Sequence, residues 1–170
     1  MLKAQGRLAE ALKAYQDSLA ITDRLAKADP GNAGWQRDLS VSYDKVGDVL
    51  QAQSNLAEAL KAYQDGLAIA DRLAQSDPGN AGWQRALAMS YGKVAAVFVQ
   101  QNEPERARSE YREARDIIAR LKEQFPGIAS LPDDLAWFDS EIAKLDKGGT
   151  AAPEAALPSQ APEQLPQSAQ

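Results

Sequence analysis

Leu8-Ala9-Glu10-Ala11-Leu12-Lys13-Ala14-Tyr15-Gln16-Asp17 returns unchanged as Leu56 through Asp65. Asp29-Pro30-Gly31-Asn32-Ala33-Gly34-Trp35-Gln36-Arg37 returns unchanged as Asp77 through Arg85. Both recurrences have an offset of 48 residues. Extended outward, residues 2–54 laid on 50–102 give roughly 36 identities in 53 pairs. A third copy is degenerate but in register: Ala107, Tyr111 and Ala114 match Ala59, Tyr63 and Gly66, and Pro30, Pro78 and Pro126 keep the same spacing. A period between about 20 and 50 residues marks stacked supersecondary units, which bury their apolar faces against one another.

Each unit reads as two helices. In the segment from Ala57 onward, Ala59, Leu60, Tyr63, Leu67, Ala70 and Ala74 step by three or four residues. A second stripe of Leu56, Ala62, Gly66, Ile69 and Leu73 lies beside the first, so this helix needs cover on two sides. Asn55-Leu56-Ala57-Glu58 and Asn102-Glu103-Pro104-Glu105 read as capping signals at helix starts. Each of these helices stops before its proline, because the residue ahead of a proline resists the α conformation. After each Asp-Pro-Gly-Asn turn, Trp35, Leu39, Ser42/Tyr43, Val46 and Val49/Leu50, or Trp83, Leu87, Tyr91, Val94 and Val97/Phe98, form the face of the next helix. No segment sustains a period of two. The spacing predicts helices over 7–28, 35–53, 56–76, 83–101, 104–124 and 132–146, an all-α chain.

Composition narrows the chemistry. The chain has 170 residues, 44% of them hydrophobic and 25% charged, with neither Cys nor His. Disulfides, cysteine nucleophiles, imidazole bases and Cys/His zinc sites are therefore excluded. Lys and Arg number 19 against 24 Asp and Glu, a formal charge of 19 − 24 = −5, which runs against nucleic-acid binding. The N-terminus shows no secretory signal, and the longest apolar run, Val94 to Val99, is far shorter than the roughly 20 residues that span a bilayer. The expectation is a cytoplasmic protein with no membrane contact.

The repeat resembles the tetratricopeptide repeat family. The family pattern sets an aromatic residue three positions before an apolar-small pair, then a small residue, an aromatic and a small residue on the following helix. Tyr43, Val46-Gly47, Ala59, Tyr63 and Gly66 follow it, as do Tyr91, Val94-Ala95, Ala107, Tyr111 and Ala114. Ala11, Tyr15 and Ser18 form a partial first copy. The resemblance covers about residues 2–126 and is closest to long-helix bacterial arrays. The family repeat is about 34 residues long, whereas here each second helix is about two turns longer before its proline. Two turns keep the apolar face nearly aligned. The resemblance implies a right-handed α-solenoid of antiparallel helix pairs over 1–146, ending in a capping helix at 132–146. Its implied role is a scaffold that binds a peptide or helix of a protein partner on its concave face.

In that family the first helix of each unit lines the concave face. The resemblance thereby assigns partner contact to Arg37, Val41, Asp44, Lys45, Asp48, Gln51 and Ala52 of one unit, and to Arg85, Met89, Gly92, Lys93, Ala96, Val99 and Gln100 of the next. Arg37 with Arg85, and Lys45 with Lys93, would form basic ladders. Two readings of the lysines stand side by side: a clamp for a peptide carboxylate, or a solvated face with local ion pairs. The copies differ mostly on this helix, at Ser40/Ala88, Val41/Met89, Asp44/Gly92, Asp48/Ala96 and Gln51/Val99. Met89, Gly92, Ala96 and Val99 form either an apolar floor for a partner or packing beneath the last helix.

The ends differ. Met1 to Gln5 match only the end of a first helix, which leaves Leu8, Leu12, Tyr15, Leu19 and Leu25 with an incompletely covered side. Three expectations compete: a piece of a longer array, a homodimer through that open edge, or tolerated exposure. In the last helix Leu135, Phe138, Ile142 and Leu145 form an apolar face, and Asp133, Asp134, Asp139, Glu141 and Lys144 a polar one. The Pro-, Ala- and Gln-rich residues 147–170 read as a disordered tail. No catalytic set emerges. Asp133-Asp134 reads as a carboxylate pair favoured by a helix start. Gly31-Asn32-Ala33-Gly34 lacks the Gly-Lys-Ser/Thr of a phosphate loop. Trp35 and Trp83 read as packing residues. The expectation is a non-enzyme with no cofactor and no metal site.

Overall fold

The computed structural model describes residues 2–148, with side chains from residue 6 onward; the expected tail lies outside them from residue 149. Among the described residues there are six helices and no strand: α1 (Leu2–Ala28), α2 (Ala33–Ala52), α3 (Leu56–Ser76), α4 (Ala81–Gln100), α5 (Pro104–Gln124) and α6 (Leu131–Asp146). The described residues form two compact units, divided between Ser76 and Asp77.

In the first unit α2 packs between α1 and α3. Thr22 Oγ1 lies 3.2 Å from Ser42 Oγ, and Gln36 Nε2 donates to the Ala26 carbonyl at 3.2 Å. As residue numbers rise on one helix and fall on the other, α1 and α2 are antiparallel. The same holds for α2 and α3, where Ser40 Oγ donates to the Gly66 carbonyl at 3.0 Å and Tyr63 reaches Asp48. Small residues bring these two helices together. A methyl group at Gly47 would stand 2.5 Å from the Tyr63 ring, and one at Gly66 would stand 3.2 Å from both the Ser40 carbonyl oxygen and Asp44 Oδ1. The Tyr63 ring reaches the backbone of α2 because Gly47 has no Cβ.

In the second unit α5 packs against α4 and α6. Tyr111 meets Trp137 edge-on at 5.7 Å and Phe138 at 6.2 Å, and Trp137 meets Phe138 at 5.0 Å. Such edge-to-face pairs add to the burial of ring area. Leu131, Phe138 and Leu145 bury one side of α6. The Arg106 guanidinium covers the Phe98 ring at 3.9 Å.

The helix ends differ in detail from the sequence reading. α2 and α4 start two residues earlier, because Asn32 and Asn80 cap them; each side chain accepts the N–H of Trp35 or Trp83 at 3.1 Å. The capping reading of Asn102-Glu103-Pro104-Glu105 is corrected. Glu103 is the cap position but makes no side-chain cap bond, and its carboxylate pairs with Arg106 instead. Asn102 belongs to the preceding turn.

The α2–α3 and α4–α5 connections share one geometry. Ser54 and Asn102 both have φ +60°. The Ser54 N–H donates to Gln51 O and the Asn55 N–H to Leu50 O; the Asn102 N–H donates to Val99 O and the Glu103 N–H to Phe98 O. These paired bonds close the helix ends around one left-handed residue, a position that favours Gly and then Asn. Asn102 suits it and Ser54 does not. Ser54→Gly should raise unfolding stability by about 0.5–1 kcal/mol, read as a higher denaturant midpoint with an unchanged slope; an unchanged or lower midpoint would count against this account of the turn.

Candidate protein-interaction surface

The residues expected to contact a partner fall into three groups. Arg37 and Lys45 are exposed on α2, on the same i, i+4 row as half-buried Val41. Arg37 Nη1 lies 3.6 Å from Asp38 on its own helix. In the second unit Ala96, Val99 and Gln100 are half-buried.

A second group is turned inward. Met89 is 1% exposed, and Gly92, Lys93 and Asp44 are buried as well. Met89 and Gly92 are thus core residues, which corrects their reading as an exposed apolar floor. Lys45 is exposed and Lys93 buried, so the matched lysines do not share an environment.

A third group is already engaged within its own unit. The Tyr63 hydroxyl donates to Asp48 Oδ1 at 2.9 Å and lies 2.8 Å from Gln51 Oε1. Burial, then the Asp48 carboxylate, raises the Tyr63 phenol above its ordinary value near 10. In the second copy the two hydroxyl partners are replaced by Ala96 and Val99. Burial raises the Tyr111 phenol too, with Glu141 adding to the rise. The Asp48/Ala96 and Gln51/Val99 differences therefore track how each repeat treats its tyrosine.

Arg85 is likewise committed. Its Nε donates to Asp134 Oδ2 at 2.6 Å and its Nη2 to Asp134 Oδ1 at 3.0 Å. This two-pronged pair joins the N-terminal part of α4 to the first turn of α6. Asp134 is 1% exposed, which corrects its reading as a member of the polar face of α6. Glu141, also read as polar-face, is buried and takes the Lys144 ammonium. Burying a carboxylate requires a partner of this kind. Arg37 occupies the Arg85 position of the first copy, but its salt bridge among the described residues is to its neighbour Asp38.

The sequence also carries a Ser-x-x-Lys spacing twice, at Ser42/Lys45 and Ser90/Lys93. The Ser42 hydroxyl donates to the Asp38 carbonyl at 2.8 Å, with Thr22 beside it, while Lys45 faces solvent. Trp35 and Trp83 are half-buried. Among the described residues no group of three or more His, Cys, Asp or Glu side chains could hold a metal ion, and no helix is long and apolar enough to cross a membrane.

Compared with known proteins, the chain matches no family model and no curated protein. The surface is therefore read from its own geometry.

Two outcomes follow. Asp134→Ala leaves the Arg85 guanidinium without its bidentate carboxylate and should destabilise by about 3 kcal/mol, the lower end for uncoupling a buried ion pair, since Arg85 keeps 15% side-chain exposure; a loss well under 1 kcal/mol in chemical denaturation would sink this reading. The raised Tyr63 and Tyr111 phenols contribute to a loss of stability at alkaline pH. The neutral forms are favoured in the folded chain, so their contribution is complete below the unfolded value near 10. It is lost as pH rises beyond that. Tyr63→Phe should flatten the fall of the denaturation midpoint between about pH 9 and 11; an unchanged slope there would remove Tyr63 as its source.

Proposed function

We propose that the chain is a protein-interaction scaffold of the tetratricopeptide-repeat kind. In this reading the helix pairs stack as a right-handed solenoid, and the first helix of a repeat receives a peptide or helix of a protein partner. No cofactor and no catalytic group takes part, and the protein works in the cytoplasm.

One observation carries the proposal: the division of labour within the repeat. The second helices and the Asp-Pro-Gly-Asn turns of the two copies are nearly identical, whereas substitutions gather on α2 and α4. Part of that variation is explained by packing, at Asp48 and Gln51 around Tyr63 and at buried Met89. What remains exposed on α2 includes Arg37, with Asp38 next to it, Lys45 and Ala52, and the half-buried aliphatic Val41 lies between the two cations. Two cations flanking an apolar side chain suit an acidic peptide that also brings an apolar anchor. In a chain of net charge −5, such a local cationic row directs an acidic partner to one helix.

The test uses the native chain and an Arg37→Glu, Lys45→Glu double variant as paired baits against extract from the source cell. The native chain should recover a partner that the variant loses, with melting temperatures within a degree or so of each other, as for exposed substitutions. Equal recovery by both baits would discard this face of α2. Lys93 is unsuitable for the test, because its burial would mix binding with folding.

A further inference from the structure

The face of α1 that carries Tyr15 has a counterpart inside the same unit that shows what fits it. Over ten residues, Leu8–Asp17 and Leu56–Asp65, α1 and α3 are the same sequence. In α3 that sequence is covered: Tyr63 is 1% exposed, seated on Gly47 with its hydroxyl on Asp48. In α1 the matching Tyr15 is 38% exposed. Ala14 and Ser18, which match buried Ala62 and Gly66, are exposed too. α2 meets α1 farther along, at Thr22 and Ala26, and leaves Ala14, Tyr15 and Ser18 exposed beside it. Two of the large apolar side chains farther along, Ile21 and Leu25, are also exposed.

We infer that the Tyr15 face of α1 is a docking site for a helix of the α2 type carried by another polypeptide. The packing of α2 on α3 states the chemistry of that partner: a residue without a side chain beneath the tyrosine ring, a carboxylate one position later and an amide three after that, as at Gly47, Asp48 and Gln51. The position opposite Ser18 must be small, because Ser18 has a Cβ where Gly66 has none. The second copy makes the same trade, with Ala114 opposite a helix carrying Gly92 in place of Asp44. A second copy of this chain is not the favoured occupant, because its α2 is already packed between its own α1 and α3. This site is separate from the Arg37 and Lys45 row, so its failure leaves that reading standing.

The probe is a lactam-stapled, fluorescently labelled peptide of residues 32–53 with Asp44→Gly, added to the full chain and followed by anisotropy. Stapling removes the cost of forming an isolated helix of this length. Saturable binding is expected. It should weaken at least about tenfold when the chain carries Tyr15→Asp, or when the peptide carries Gly47→Leu, as for loss of a central aromatic anchor. Arg37→Glu with Lys45→Glu in the chain should leave it unchanged. Absence of binding overturns the proposal. So does binding that survives Tyr15→Asp, which would mean exchange with the chain's own α2. Sedimentation of the chain alone provides a second readout. A dimer that Tyr15→Asp abolishes, and that the peptide does not dissociate, would make a second copy the occupant and overturn the inference.

Discussion

An aromatic ring laid on a residue without a side chain is the contact from which the rest of the first unit follows. Tyr63 occupies space that a methyl at Gly47 would claim, at 2.5 Å, so α2 and α3 approach more closely than ordinary side chains allow. That proximity puts the Tyr63 hydroxyl within reach of Asp48 and Gln51. It also brings Ser40 to the Gly66 carbonyl, where a buried hydroxyl is satisfied by a backbone oxygen. Polar groups drawn into such a contact must find partners there, and each of these does.

The second unit reaches a similar outcome by other means. Ala95 replaces Gly47, so the tyrosine cannot lie as low on its neighbour. The Tyr111 ring is instead enclosed by Trp137 and Phe138 of α6. The hydroxyl partners have become aliphatic, and the polar fastening has moved to the pair between Arg85 and Asp134. One repeat relies on a hydrogen-bonded phenol and small residues, the other on an aromatic cluster and a buried ion pair.

Helix number, order and approximate extent were legible from the 48-residue period and the doubled apolar stripe, because both reflect local spacing along one helix. The caps were less so. Asn32 and Asn80 sit inside a turn motif whose Pro and Gly draw attention first, although an Asn three residues before Trp was the available signal. A helical wheel assigns carboxylates such as Asp134 and Glu141 to the outside. Their burial depends on Arg85, 49 residues from Asp134, and on Lys144, a contact that only packing makes decisive. Asp48 and Gln51 were read as surface for the same reason: pattern shows which face a residue is on, not which neighbour has already taken its hydrogen bond.

The exact recurrence of Leu8–Asp17 as Leu56–Asp65 has a consequence for how the chain reaches this arrangement. While the first unit is forming, α2 meets two segments that offer it the same ten side chains in the same order. Only flanking differences, chiefly Ser18 against Gly66 and Thr22 against Ala70, tell it which belongs on which side. Gly66 admits the backbone of α2 where Ser18 brings a Cβ, and Thr22 supplies a hydroxyl for Ser42 that Ala70 lacks. Near-identical repeats thus make mispaired, register-shifted intermediates cheap to form, and a handful of small residues carries the burden of sorting them.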